Sequence, residues 1–227
     1  MIFLSGDIHA DFDIQKVITF FGQHTDQLLS KEDYLIILGD AGICWDDGSQ
    51  DDWVKQALQD LPVTTLFIDG NHENFDLLSE YPVMVWQGGK VHEIEEGILH
   101  LMRGQIFEIE GKTFFTFGGG NSVDKENRYE GTSWWPEEMP SYDEYEQGLK
   151  TLEEVDYTVD YILTHTAPRE VVAEMGIDIY EGEEELQLYL QRIADKTDFE
   201  EWYFGHWHMD EDIMEYHCLM EEIVELS

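Results

Sequence analysis

The chain has 227 residues, long enough for one domain with a sizeable core, and its 42% hydrophobic and 13% aromatic content is that of a globular protein. Asp and Glu total 51 against 12 Lys and Arg, a net charge of −39, which argues against long nucleic acid and anionic membrane surfaces as partners. Cys44 and Cys218 are too few for a disulfide framework, no run approaches the roughly 18 apolar residues of a membrane span, and the first apolar run ends early in Gly-Asp rather than in a leader-type cleavage site, so a soluble, cytoplasmic protein is expected.

In chain order, Met1-Ile-Phe-Leu-Ser leads into Gly6-Asp7-Ile8-His9. Ile14, Val17, Ile18 and Phe21 then recur at helical spacing behind Asp13 as N-cap. The unbroken apolar run Tyr34-Leu-Ile-Ile-Leu38 reads as a strand buried on both faces, and it ends in Gly39-Asp40. A helix over residues 51–60 follows, with Trp53, Val54, Ala57 and Leu58 inward. Thr64-Thr-Leu-Phe-Ile68 then leads into Asp69-Gly70-Asn71-His72-Glu73. Strand, helix, strand, helix, strand implies parallel pairing with right-handed crossovers.

From Val91 the rhythm changes to short runs at 91–94, 98–102, 106–109 and 113–117, separated by Gly-containing turns. These are hairpin signals, so this part is expected to be antiparallel. His92 and His100 lie inside the alternation and read as ordinary strand residues. The polar stretch from Gly118 to Gly131 is a long loop, the kind that is usually functional. Ser141 and Glu144 form a capping box at the start of a helix over 141–154. Val159-Asp-Tyr-Ile-Leu163 is a strand leading into Thr164-His165, and 183–194 is helical with Leu186, Leu190 and Ile193 inward. Glu201-Trp-Tyr-Phe204 leads into Gly205-His206-Trp207-His208. Strands are expected over 213–216 and near 219–224, and the whole chain, 1–227, reads as one domain.

Asp, Asn or His therefore recurs at the carboxyl ends of apolar strands, where open α/β sheets place their ligands. The side chains so delivered are Asp7, His9, Asp40, Asn71, His72, His165, His206 and His208. Oxygen and imidazole donors without thiolate suit Mn, Fe, Zn, Co or Ni rather than a Cys-type structural zinc site. The donors exceed what one ion takes, so two divalent ions sharing a carboxylate fit the count, with Asp40 as the natural bridge. Two such ions roughly 3.5–4 Å apart can clamp a phosphoryl group and hold a hydroxide for in-line attack.

Taken together, Asp7-Ile-His9, Gly39-Asp40, Gly70-Asn-His-Glu73, His165 and Gly205-His-Trp-His208 resemble, in order and over nearly the whole chain, the motifs of the calcineurin-like metallophosphoesterases. The resemblance implies an α/β (α+β) four-layer sandwich, two facing mixed β-sheets flanked by helices. It implies that Asp7, His9, Asp40 and His208 hold one metal ion, and Asp40, Asn71, His165 and His206 the other. His72 would protonate the leaving oxygen or stabilise the transition state. The implied activity is hydrolysis of phosphate mono- or diesters, with a small-molecule or nucleotide-type substrate favoured. The alternatives are a catalytically weak metal-binding or scaffold protein on the same fold, and a nuclease acting on short oligonucleotides.

Two departures stand out. The family often continues Gly-Asp-x-x-Asp, the last Asp steadying the catalytic histidine; here that position is Ile43, which leaves Asp46, Asp47 or Asp69 as stand-ins. The Asp-Arg-Gly of the protein serine/threonine phosphatases is also missing, its place taken by Ile43-Cys-Trp45. Substrate contact is expected instead from the scarce cations Lys125 and Arg128 of the long loop, and from Arg103 at a hairpin turn, with Trp134 and Trp135 as walls for a ring. Oligomeric state is left open by the sequence.

Overall fold

The computed structural model of the chain describes residues 1–23, 28–46, 48–178 and 182–226. The elements in order are β1 (Ile2–Ser5), α1 (Ile14–Gln23), β2 (Tyr34–Leu38), α2 (Ser49–Gln59), β3 (Thr64–Ile68), α3 (Phe75–Glu80), β4 (Val83–Trp86), β5 (Gly89–Glu95), β6 (Ile98–Leu101), β7 (Gln105–Ile109) and β8 (Lys112–Phe117). They continue with α4 (Tyr142–Glu154), β9 (Tyr161–Thr164), α5 (Arg169–Glu174), α6 (Glu184–Ala194), β10 (Glu201–Phe204), β11 (Glu211–Ile213), β12 (Tyr216–Cys218) and β13 (Ile223–Leu226). One sheet runs β13-β1-β2-β3-β6-β5-β4 and the other β11-β12-β10-β9-β8-β7. β1, β2, β3 and β6 are parallel neighbours, as are β8, β9, β10 and β12. The remaining strands pair antiparallel at the margins.

Strands that are apolar at successive positions need cover on both faces, and these have it. Ile2, Leu4, Ile36, Leu38, Leu66 and Ile68 join Phe114, Tyr161, Leu163 and Tyr203 in a core between the sheets. The alternate residues Phe3, Leu35, Ile37 and Phe67 pack with Val17 and Phe21 of α1 and Val54 and Leu58 of α2. On the far side Phe115, Phe117, Ile162, Trp202 and Phe204 pack with residues of α4, α5 and α6. The result is an α/β sandwich of two mixed sheets flanked by helices, consistent with the metallophosphoesterase fold. Among the described residues, no helix is long and apolar enough to cross a membrane.

Strands 34–38 and 64–68 lie where the apolar runs place them. The capping box also forms: Ser141 Oγ accepts from Glu144 N–H, and the Glu144 carboxylate accepts from Ser141 N–H at 2.7 Å. The antiparallel pairing expected over the stretch from 91 to 117 also forms, as two hairpins, β5–β6 in the first sheet and β7–β8 in the second. The chain changes sheets at Gly104, whose left-handed φ of +69° and contact with Gly148 leave no room for a Cβ. The strand expected over 213–216 is instead the β11–β12 hairpin, turned at Met214 with φ 52°. α3 and α5 have six residues each, too few for a helical period to register in sequence.

Candidate active site

Two sheets, each with a parallel centre, aim their carboxyl ends at one cleft. The first sheet delivers Asp7 and His9 after β1, Asp40 after β2, and Asn71 and His72 after β3. The second delivers His165 after β9, and His206 and His208 after β10. All eight residues picked from the sequence converge. His208 Nε2 stands 3.3 Å from Asp7 Oδ2, and His9 Nε2 3.9 Å from the same oxygen. Asp40 turns one oxygen to each half of the site: Oδ2 lies 3.5 Å from His9 Nε2 and Oδ1 3.4 Å from His165 Nε2. Asn71 Oδ1 is 3.1 Å and His206 Nδ1 3.2 Å from His165 Nε2. Donor atoms of Asp7, His9 and His208 fall within 4.8 Å of one another, as do those of Asp7, Asp40 and His165.

Three lone-pair groups crowding one nitrogen of His165 cannot all be met by one ring proton. Asp7, fully buried, has an Oδ2 with no hydrogen bond of good geometry. The cradle is also tight: a Cβ on Gly70 would overlap Asp40 Oδ1, and one on Gly205 would overlap Asp7 Oδ1. The donor set of carboxylate, imidazole and amide oxygen therefore fits divalent cations. The two carboxylates also dominate the local field. Although burial opposes it, Asp40 and Asp7 push His9 up to about 9 and His165 up to about 10.

The backbone carries its own mark of function. His9, Asp40, His206 and His208 have φ of 42°, 46°, 69° and 50°. Left-handed non-glycine residues cost roughly 1–3 kcal/mol each and cluster at functional sites. Here they re-aim side chains inward just beyond a strand end. Hydrogen bonds hold the turns: His9 N–H donates to Asp40 carbonyl O at 2.8 Å, and His72 N–H to Asp40 Oδ1 at 2.7 Å.

A further layer escaped the sequence reading. Glu183, 1% exposed just before α6, meets His206 Nε2 at 3.1 Å and accepts from Asn121 N–H at 3.0 Å. Against its burial, His206 and these hydrogen bonds hold its carboxyl down to about 2. Glu73 is buried and accepts from Ala41 N–H at 2.8 Å, bracing the turns after β2 and β3 against each other; burial raises its carboxyl well above the usual range. Asp13 accepts from His9 Nδ1 at 2.9 Å and so fixes the ring. A single acidic residue among 51 gives no sequence signal of this kind.

The scarce cations separate into different roles. Arg128 reaches the cleft: its two Nη atoms stand 3.1 and 3.4 Å from the ring nitrogens of His72, and its Nε is 2.7 Å from Asp124. Burial lowers His72 below its usual value, with Arg128 and His9 adding to it against Asp40, so the positive charge of the pair lies on the guanidinium. Lys125 stops short, donating to Asn121 Oδ1 at 2.8 Å and lying over the Trp134 ring. Arg103 corrects the expectation of substrate contact. It is 7% exposed and donates from Nε and Nη2 to Asp69 Oδ2 at 2.8 and 2.5 Å. It also donates to the carbonyls of Glu137 and Glu138, so its fork is fully occupied by the protein itself.

Two of the three carboxylates named as stand-ins for the aspartate of the resembled motif, Asp69 and Asp46, lie among the described residues. Ile43 is buried in the core. Asp69 is taken by Arg103 and by His100, whose Nε2 lies 3.1 Å away. Asp46 accepts from Gly48 N–H, and Asp47 lies outside the described residues. Among the described residues, the group standing on His72 is Arg128, not a carboxylate. His92 and His100 are not ordinary strand residues either. The β5–β6 register pairs them, their rings stack at 5.2 Å, and their Nδ1 atoms lie 2.9 Å apart. Trp135 is a packing residue: it is 3% exposed, donates to Asp76 at 2.9 Å, and meets Trp45 edge-on at 5.7 Å.

No protein-family model matches the chain, and no curated protein matches it in sequence. Solved structures match it in fold. The protein TT1561 of Thermus thermophilus is 11% identical with a TM-score of 0.50, over 96% of this chain and 87% of that one. A protein of Staphylococcus aureus assigned as a 5′-nucleotidase is 13% identical with a TM-score of 0.50, over 96% of this chain but 48% of that one, so this chain spans about half its length. The phosphopantetheinyl hydrolase PptH of Mycobacterium tuberculosis is 16% identical with a TM-score of 0.48, over 96% and 87%. At such identities the likeness concerns the fold.

Proposed function

We propose that the chain is a calcineurin-like metallophosphoesterase that hydrolyses phosphate mono- or diesters of small molecules or nucleotides with two divalent cations. One observation carries this reading: donors from the carboxyl ends of two facing sheets meet in a single cleft, with Asp40 turned to both halves. Asp7, His9, Asp40 and His208 would hold one ion, and Asp40, Asn71, His165 and His206 the other. When bound, the ions supply Lewis acidity toward the phosphoryl oxygens and a nucleophile at neutral pH. The shared fold with a protein assigned as a 5′-nucleotidase agrees with this reading and does not by itself carry it.

The chain's own groups divide the remaining work. Asp7 and Asp40 would offset part of the charge of the cations; Asp13 and Glu183 fix the rings of His9 and His206. His72 and Arg128 stand together on one wall of the cleft. There the guanidinium places a fixed positive charge where negative charge develops, and the imidazole adds a directional hydrogen bond to the leaving oxygen. Asp124 and the Ser133 carbonyl hold Arg128 in that position at 2.7 and 3.3 Å.

The test is turnover of p-nitrophenyl phosphate and bis(p-nitrophenyl) phosphate with added Mn²⁺, alongside metal analysis of the same sample. Turnover of either ester that rises with bound metal, and is lost with the metal in Asp40→Asn, is expected. A protein that binds no divalent metal and turns over neither ester is not a metallophosphoesterase.

A further inference from the structure

A cavity of about 600 Å³ opens directly on the cluster, sharing His9, His72 and His208 with it. Its other walls include Phe12, Trp45 and Gln50. That volume is within the range of small-ligand pockets, roughly 300–1,000 Å³. We propose that this cavity seats a neutral, planar heteroaromatic leaving group, so that the preferred substrate is a phosphate ester of a purine-sized nucleoside. The proposal rests on the phosphoesterase reading and names its substrate class.

The lining decides the chemistry. Phe12 is 82% exposed. A single exposed phenylalanine needs no explanation, but this one overhangs the cavity beside the candidate ligands. Its backbone is fixed by a hydrogen bond from Phe12 N–H to the His9 carbonyl at 3.1 Å. Trp45 is also held before any ligand arrives. Its backbone N–H donates to Asp51 at 2.7 Å, and its ring packs on Trp135, itself anchored to Asp76. The held Trp45 ring and the overhanging Phe12 ring offer π faces to a flat partner.

Among the described residues, neither Lys nor Arg lines this cavity, while Asp13 lines it and Asp11 holds Gln50 by a hydrogen bond of 2.7 Å at the rim. A second phosphate or a carboxylate on the leaving group would be repelled there. The Gln50 carboxamide carries both donor and acceptor and can meet a ring heteroatom or exocyclic amine. Beyond the candidate ligands on its floor, aromatic walls and a carboxamide without Lys or Arg favour a neutral heteroaromatic ring over a charged or purely aliphatic group. Trp134 and Trp135, expected to wall a ring, give way in this role to Trp45 and Phe12.

The experiment compares AMP with ribose 5-phosphate, which carries the same ester without the ring, in wild type, Phe12→Ala and Trp45→Ala. Adenosine contact with each protein is read separately, without metal, by saturation-transfer NMR. Wild type should favour AMP by roughly 10- to 100-fold in kcat/KM, the worth of stacking one base. Both variants should bring the ratio toward one and weaken adenosine saturation transfer. Phe12, being exposed, tests this without disturbing the core. A wild-type ratio near one, or a ratio unmoved in both variants, overturns the proposal and leaves the hydrolase reading intact. If neither ester is hydrolysed, the phosphoesterase reading is still decided by the nitrophenyl esters; adenosine contact that weakens in Phe12→Ala would support the pocket, and no contact would overturn it.

Discussion

Two buried polar clusters lie side by side after β3, and they are built on opposite principles. In the cleft, Asp7 and Asp40 face His9, His165 and His208 at 3.3–3.9 Å, and one carboxylate oxygen has no well-aligned donor. Behind it, Asp69 has both oxygens taken, one by the Arg103 fork and one by His100. The first faces its carboxylates with imidazoles that can exchange a proton for a metal and leaves one oxygen open; the second supplies a fixed guanidinium and is closed. The same residue types thus make a receptor for metal in one place and a structural tie in the other. What separates them is whether the protein has already satisfied the carboxylate.

The largest effect that would break this contrast comes from Asp40→Asn. If the cleft is a cation receptor, the substitution should lower phosphoesterase activity by about 10³-fold or more and reduce bound metal, with the fold kept by circular dichroism. Full activity with two metals retained would move the bridge elsewhere. Arg103→Met tests the opposite cluster. It leaves Asp69 buried without its partner and should cost about 3–5 kcal/mol by urea denaturation. Metal content per folded molecule should stay at the wild-type level; a loss of metal with no change in stability would mean the two clusters have been assigned the wrong way round.

His72→Ala should keep both metals and lower kcat by about 10²–10³-fold, more for alkyl than for nitrophenyl esters, since a good leaving group needs less help. Equal losses for both esters would remove His72 from the leaving-group side. Arg128→Ala should lower kcat/KM for AMP by about 10- to 100-fold, the value of hydrogen bonds to a charged group, without the stability loss of Arg103→Met. The smallest effect concerns pH. Burial, and His100 beside it, lower His92 from 6.5 to about 4. The unfolded chain then binds the proton more tightly than the native one. Stability is full above 6.5 and falls as pH drops from there toward 4. His92→Leu should flatten that part of the urea stability–pH curve; an unchanged slope would show that another group sets it.

The sequence disclosed what depends on local order. Short apolar runs ending in Asp, Asn or His placed the strands and all the candidate ligands, because a strand's direction and end are local properties. It hid what depends on pairing at a distance. His92 and His100 meet only through the β5–β6 register, and Arg103 finds Asp69 only after the chain has changed sheets at Gly104. Arg103 and Arg128 look alike in sequence, each an isolated cation in a glycine-containing turn or loop. Only the fold shows that one is enclosed by its own chain and the other stands on His72. Glu183 and Trp45 were unreadable for the same reason, since Glu183 meets His206, and the Trp45 ring meets Trp135, only in the fold.

The division of the donors between the sheets bears on how the chain acquires its site during synthesis. Asp7 accepts a hydrogen bond from His206, 199 residues further on. Until β9 and β10 emerge and dock, Asp7 and Asp40 lack the second sheet's histidines, and packing the first sheet early would bury carboxylates facing each other. Contacts of such long sequence separation slow folding. Here they also time it: the early half gains no complete site until the last quarter of the chain is made. A divalent ion present at that moment would act on sheet docking, so refolding rate should depend on metal as well as activity does.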